Sequence, residues 1–235
     1  GEKSHPGFGL SVLIAAIHYE TDDLDIAEKY QRDALEYLKE QSATDLLVAA
    51  FETRARLLIH RGAREEGFGF LKDGIKWAEN QSLPRLQLRL VDELVVWLLR
   101  HRRATEAERY ASHYDLIQRH ASDFHLDQND HKTTARSRVF LLLERGQYHD
   151  AITLLEVLLE RSITLKHLRV TAEWYKLSAI AHDLANEPEK SRTALIHALE
   201  IAAQQNYFRL FIDDYSALAR PLQAIAAQAG KKPYG

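Results

Sequence analysis

The 235-residue sequence contains no cysteine and no methionine. Without cysteine it can build no disulfide framework, no thiolate metal centre and no cysteine nucleophile. That fits a reducing compartment, and a cytoplasmic location is expected. The missing methionine, initiator included, leads to the expectation that the chain is a fragment of a longer polypeptide. The opening Gly1-Glu2-Lys3-Ser4-His5-Pro6-Gly7 lacks the apolar core of a secretory signal. Residues 1–7 are therefore expected to be a disordered or extraneous N-terminus. No apolar run approaches the roughly 20 residues that a bilayer span needs, so no membrane contact is expected. Gly-x-x-x-x-Gly-Lys-Ser/Thr, Gly-x-Ser-x-Gly and His-Glu-x-x-His are all absent. Their absence removes the usual sequence signals for a phosphate-cradling loop, a hydrolase elbow and a zinc protease. Positive charge is not in excess either. Lys and Arg total 31 against 34 Asp and Glu, a net charge of −3, which gives no overall attraction for nucleic acid.

What remains is a folded, soluble composition, 46% hydrophobic and 28% charged, with a strong internal period. Ala27, Gly67 and Ala107 are 40 apart; Ala151 follows after 44 residues and Ser191 after another 40. Seven residues beyond each stand Ala34, Gly74, Tyr114, Leu158 and Ala198. Small residues two turns apart mark a close helix–helix approach, and a fixed period of this length marks stacked helix pairs. The helix pairs read as 8–20 with 23–41, 43–61 with 63–80, 84–101 with 104–121, 131–145 with 147–163, and 168–185 with 187–205. Apolar spacing is helical throughout. In 147–159, for example, Tyr148, Ala151, Ile152, Leu154, Leu155, Leu158 and Leu159 make one stripe.

Turn signals separate the members of each pair: Thr21-Asp22-Asp23, Arg61-Gly62, Arg145-Gly146 and Asn186-Glu187-Pro188. His101-Arg102-Arg103 lacks glycine and is the weakest of the five. The 44-residue step is accounted for by the polar stretch Ser122–Asp130, expected to be a mobile loop. A terminal amphipathic helix around 217–227 is expected to cap the array. The fold expected is all-α: a right-handed superhelix of antiparallel helix pairs, a tetratricopeptide-like α-solenoid of about five 40-residue repeats plus a C-terminal capping helix. The repeat domain is placed at 8–229, with 230–235 a linker or artificial end.

A strict tetratricopeptide repeat is about 34 residues long, but the small-residue logic here is similar. By that resemblance Ala27, Gly67, Ala107, Ala151 and Ser191 take the small site of the second helix. Ala15, Ala55 and Ala179 take that of the first helix, with Val95 and Val139 in the other two repeats. The lengthened repeat resembles the repeat region of the large ATP-binding transcriptional regulators of the LuxR type, the family of the maltose-regulon activator. Three strings carry the match. Tyr19-Glu20-Thr21-Asp22-Asp23-Leu24-Asp25-Ile26-Ala27-Glu28 looks like the family's Y-E-x-N-D-L-x-x-A-E turn. Ser82-Leu83-Pro84-Arg85-Leu86 looks like its G-L-P-R-L helix opening. Tyr207-Phe208-Arg209-Leu210-Phe211-Ile212-Asp213-Asp214 looks like its Y-V-R-x-F-L-D-E closing string. The match spans roughly 9–225 and departs at Tyr215, where the family has glycine. It implies a non-catalytic sensor that binds a small inducer or regulatory protein, with self-association a further expectation. It implies no cofactor for this chain. ATP belongs to an N-terminal module, and DNA is contacted only through a C-terminal helix-turn-helix; neither is in this sequence. The alternative is a generic scaffold docking a peptide or protein.

The first helices of the pairs should line a concave face. The phase of the small residues projects Glu52, Arg56, Arg89, Asp92, Arg136, Glu173 and Lys176 onto that wall. Arginine forks suit carboxylates, phosphates or sugar hydroxyls; the alternative is solvated charge, with Glu52–Arg56 a simple i,i+4 pair. Trp97, Trp174, Tyr175, Phe140 and Trp77 could stack on flat ligands, but core filling is the favoured reading, with Tyr175 at a packing position. His113, His120, His125 and His131, with Asp123, Asp127 and Asp130 between them, lack metal-ligand spacing. His18 and His182 read as satisfied core histidines. Asp213-Asp214 reads as a cap or ion pair. Arg100-His101-Arg102-Arg103 offsets a helix C-terminus.

Overall fold

The structure, a computed structural model, describes residues 7–31, 35, 38–39, 43–116 and 134–229. Every regular element among them is helical: α1 (Gly7–Glu20), α2 (Leu24–Gln31), α3 (Thr44–His60), α4 (Arg64–Asn80), α5 (Pro84–Arg100), α6 (Ala104–His113), α7 (Ala135–Glu144), α8 (Tyr148–Thr164), α9 (Leu168–Leu184), α10 (Pro188–Gln205), α11 (Arg209–Ile212) and α12 (Tyr215–Ala229). The fold is the expected all-α, tetratricopeptide-like solenoid of helix pairs. Two compact units divide the chain, Gly1–Phe140 and Leu141–Gly235. In the first, α1, α3 and α5 stack in succession, with α4 packed between α3 and α5. In the second, α9 lies between α8 and α10, and α12 packs on α9 and α10.

The 40-residue clock has a simple mechanical basis. The helices α3, α4 and α5 are each 17 residues long. The turns between them are the residues 61–63 and 81–83. Two such helices with two such turns fill one period. Each turn is built the same way. Its middle residue has positive φ: Asp22 (67°), Gly62 (91°), Arg102 (59°), Gly146 (72°) and Asn186 (62°) within pairs, and Ser82 (55°) and Lys166 (55°) between pairs; after the last pair Asn206 (58°), the residue that closes α10, takes the same left-handed conformation. Ala63 N–H donates back to Leu58 O (3.0 Å) and Gly62 N–H to Ile59 O (3.1 Å), so the outgoing carbonyls of α3 are satisfied. Ala63 O then accepts from Gly67 N–H (2.9 Å), so one residue closes one helix and opens the next. No side-chain cap is formed at the start of α3–α6 or α8–α10. Pro84 and Pro188 stand at the first helical turn, where no N–H is required.

The glycine-free third turn uses this same geometry, with Arg103 N–H on Leu98 O (2.9 Å) and Arg102 N–H on Leu99 O (3.0 Å). An arginine held at φ 59° is strained where glycine is not. Arg102→Gly is therefore expected to stabilise the chain by about 0.5–1 kcal/mol, after the extra chain entropy of glycine is subtracted. Urea denaturation would measure this, and a lower midpoint would contradict it.

The small residues lie where the helices touch. Ala27, Ala107, Ala151 and Ser191 are buried. A Cβ on Gly67 would stand 2.7 Å from Ile59 Cγ1 and 3.0 Å from the Ala55 carbonyl oxygen. Twelve residues also separate Ser191 from Ala179, and there the Ser191 hydroxyl donates to the Ala179 carbonyl at 2.8 Å. The contact is the same in both repeats: the second helix presses its small residue against one carbonyl of the first.

One element is shorter than the sequence suggests. The helix expected over 104–121 ends at His113. Asp115 turns left-handed (φ 54°), and Leu116 N–H reaches back to Ala111 O (2.9 Å) while its side chain is buried. Aspartate tolerates this conformation without advertising it as glycine does. The final helix is longer than the 217–227 expected, running from Tyr215 to Ala229. Ala34, the Ser122–Asp130 stretch, His120, His125, His131 and the ends 1–6 and 230–235 lie outside the described residues.

Candidate functional site

Glu52, Asp92, Arg136 and Lys176 each stand three residues before the small site of a first helix. The period therefore places a charge at the same point of four successive repeats, acidic in two and basic in two. These charges are not solvated. Glu52, Arg56, Asp92, Arg136, Glu173 and Lys176 are all buried, and Arg89 is half-buried.

In the first unit they form one network across α3, α5 and α7. Arg56 donates Nε to Glu93 Oε1 (2.6 Å), and Nη2 to Glu93 Oε2 (2.8 Å) and Glu52 Oε2 (3.1 Å). Arg89 Nη2 donates to Glu52 Oε1 at 2.7 Å. Arg136 Nη2 donates to Asp92 Oδ2 (3.1 Å) and to Glu93. Trp97 Nε1 donates to Glu93 Oε1 (2.6 Å), and the Ser137 backbone N–H to Asp92 Oδ1 (2.8 Å). The Arg56 guanidinium also sits 5.6 Å from the Tyr19 ring centroid. Buried charges survive only when paired and hydrogen-bonded, and these three arginines and three carboxylates match in number.

The two adjacent acids differ electrostatically. Burial works to raise Glu93, but Arg56 and Arg136 outweigh it and hold its carboxyl well below the usual range. At Asp92 burial prevails over Arg136, Arg89 and the Ser137 hydrogen bond, and the carboxyl titrates above its usual range. Burial would lower Arg56, yet Glu93 and Glu52 more than reverse that and raise it well above its ordinary value. Glu93 is thus a locked anion, unsuited to give up or take a proton near neutrality.

The second unit holds the other two projected residues. Lys176, fully buried, pairs with buried Asp214 at the end of the Tyr207–Asp214 string. Arg169 Nη1 donates to Glu173 Oε2 at 2.7 Å. In the same unit an open cleft of about 370 Å³ runs between α9 and α10. Tyr175, Ser178 and His182 line one side, and Glu189, Lys190, Thr193, Ala194 and His197 the other. Tyr175 and His197 approach to 5.1 Å between ring centroids. Tyr175 is half-exposed at the cleft rather than at the packing position expected of it, while the neighbouring Trp174 is buried, in keeping with the core-filling reading. Trp97 is core, as expected.

The remaining candidates have structural partners. His18 and His182 contact Asp23 (3.3 Å) and Glu187 (2.6 Å) through Nδ1, each across its own turn. Asp213 pairs with Arg209 at 3.1 Å. Arg100 covers the Trp97 and Phe140 rings, and Arg103 bonds Glu65 at 2.6 Å. Among the described residues no three His, Asp or Glu converge as metal ligands, and no helix is long and apolar enough to cross a membrane. Sequence reasoning missed Glu93, the hub of the network. Its neighbour Asp92 took the inward phase, and the available signal was the 37-residue interval from Arg56, close to one repeat.

The family model for the MalT-like TPR region matches residues 2–228. The chain belongs to that family. Its helix pairs, their lengthened period and the closing string that supplies Asp214 all lie inside the matched span. No curated protein matches the chain. A MalT-like TPR region is, in general terms, a domain for sensing and protein interaction, and helical repeats of this class are typically scaffolds rather than catalysts.

Proposed function

We propose that this MalT-like TPR region is the non-catalytic signal-sensing domain of a bacterial LuxR-type transcriptional regulator. It binds a small inducer or a regulatory protein and relays that event to nucleotide-binding and DNA-binding modules elsewhere in the full-length polypeptide. The observation carrying this reading is the family match over nearly the whole chain. The charge network supports it. A ligand that exchanges hydrogen bonds with one member must rearrange partners on neighbouring repeats, which is a physical route from binding to a change in the array. Arg89 is the accessible member, its side chain 25% exposed against 0% for Glu93.

Two measurements test the proposal. A thermal-shift screen with sugars, organic acids and hydrocarbons should find a compound that raises Tm, because a ligand at ~100 times its Kd adds about 2.7 kcal/mol to stability. Arg89→Ala should weaken that compound at least about tenfold, the value of one charge-assisted hydrogen bond, and lower the apo Tm without unfolding the chain, because Glu52 loses Arg89 but keeps Arg56. Undiminished affinity in the folded variant removes Arg89 and its network from the ligand site. A full-length product with neither a nucleotide-binding module nor a helix-turn-helix overturns the regulator reading.

A further inference from the structure

The first helix is apolar on all sides. From Gly7 to Tyr19, α1 carries no charged residue other than His18. A helix without a polar face is normally enclosed, and the end of a repeat array normally carries a polar cap. Yet Leu10, Leu13 and Ile17 are 60%, 47% and 61% exposed.

The repeat identifies this face. Leu10, Leu13 and Ile17 stand at −5, −2 and +2 relative to the small residue Ala15. The same positions in the second and third repeats are Ala50, Thr53 and Leu57, and Leu90, Glu93 and Trp97, all buried. Their equivalents in the fourth and fifth repeats are buried as well. What covers them is on record in the third repeat. Leu90 Cδ1 lies 3.0 Å from where a Cβ on Gly74 of α4 would stand, Glu93 bonds Arg56 of α3, and Trp97 meets the His60 ring of α3 edge-on at 5.3 Å. In the second repeat Leu57 packs with Tyr19 and Ala27, and the Ala50 carbonyl accepts from Gln31 Nε2 at 2.6 Å. The first helices of the second and third repeats, α3 and α5, thus present this face to both helices of the preceding pair.

We propose that the Leu10–Leu13–Ile17 face is an interface for one more helix pair of the same type, supplied by the polypeptide that precedes α1 and stacked in register with the array. In the second and third repeats the occupant is the pair immediately before in sequence, and α4 leads into α5 through the three-residue turn 81–83; that continuity assigns the occupant here. A second copy of α1 across a two-fold axis would bring a single helix to a face that elsewhere takes two.

The test compares the 235-residue chain with the full-length product. Leu13→Glu/Ile17→Glu should leave the Tm and the monomeric state of the short chain unchanged, because the side chains face water there. The same pair should lower the Tm of the full-length protein by several degrees. Ile17→Cys, followed by site-resolved mass spectrometry, should react with a soluble maleimide at least ten times more slowly in the full-length protein than in the short chain. Equal labelling in both, or a full-length product without a helix pair before α1, overturns the proposal. So does a short chain that dimerises in sedimentation and is made monomeric by the Glu pair, which would assign the face to a second copy.

Discussion

Glu93→Gln is expected to be the most damaging conservative change in the first unit, costing about 3–5 kcal/mol. Glu93 is fully buried and accepts from Arg56, Arg136 and Trp97. The amide keeps the shape but removes the charge that balances two buried guanidinium groups. It also brings N–H donors toward groups that only donate. Thermal unfolding followed by circular dichroism should show a Tm lower by roughly 6–20 °C. The pH dependence has a definite sign. A carboxyl held well below its unfolded value contributes stability that is complete above the ordinary carboxylate range and is lost as pH falls through the depressed value. The gap between parent and variant should therefore be full above about pH 5 and narrow only in strong acid. Asp92→Asn provides the contrast. The raised Asp92 carboxyl already makes ionisation costly in the folded state, a cost incurred as pH rises through the raised value. The asparagine carbonyl can keep the Ser137 N–H bond, so this change should be the milder by at least about 1 kcal/mol. Equal losses for the two variants would show that the adjacent acids share one role.

Asp214→Ala should have a comparable effect in the second unit, for the same reason in a simpler setting. Lys176 is fully buried and Asp214 nearly so, and the pair ties α9 to the residue just before α12. Deleting the carboxylate leaves a desolvated ammonium, at a cost of about 3–5 kcal/mol. Replacing both partners, Lys176→Met with Asp214→Leu, should recover most of that loss, because well-packed apolar residues often equal or exceed a buried ion pair. Urea denaturation of the two variants tests the argument. If the single variant loses less than about 1 kcal/mol, the size of an exposed pair, Lys176 finds water and the end of the array is looser than its burial implies. If the double variant is no better than the single, Asp214 acts through contacts other than Lys176.

Much of the architecture was legible beforehand because it repeats. A helix that must press a small residue against the carbonyl of its partner places Gly67 and Ser191 at fixed positions, and that spacing is visible as a period. Pro188 and the glycines of Gly62 and Gly146 marked turns that the structure contains. The turn at Arg102 and the early end of α6 at Asp115 were harder to see. There the left-handed residue is not glycine, and neighbouring backbone bonds enforce the conformation.

The charged positions show where such reading ends. Periodicity placed Glu52, Asp92, Arg136 and Lys176 on one helix face, and that followed from the sequence alone because face is a matter of angle around a single helix. Whether the face meets water or protein is a matter of what the next repeat brings to it. Glu93, one residue out of phase, became the hub because Arg56 and Arg136 reach it from the helices on either side. Lys176 is buried because Asp214, 38 residues later, folds back onto it. The helix pairs, their period and the family belonged to the sequence, since they rest on local geometry and repeated contacts. The pairing of the charges, and the uncovered face of α1, belonged to the tertiary structure, since burial and electrostatic partnership depend on groups from separate helices meeting in space.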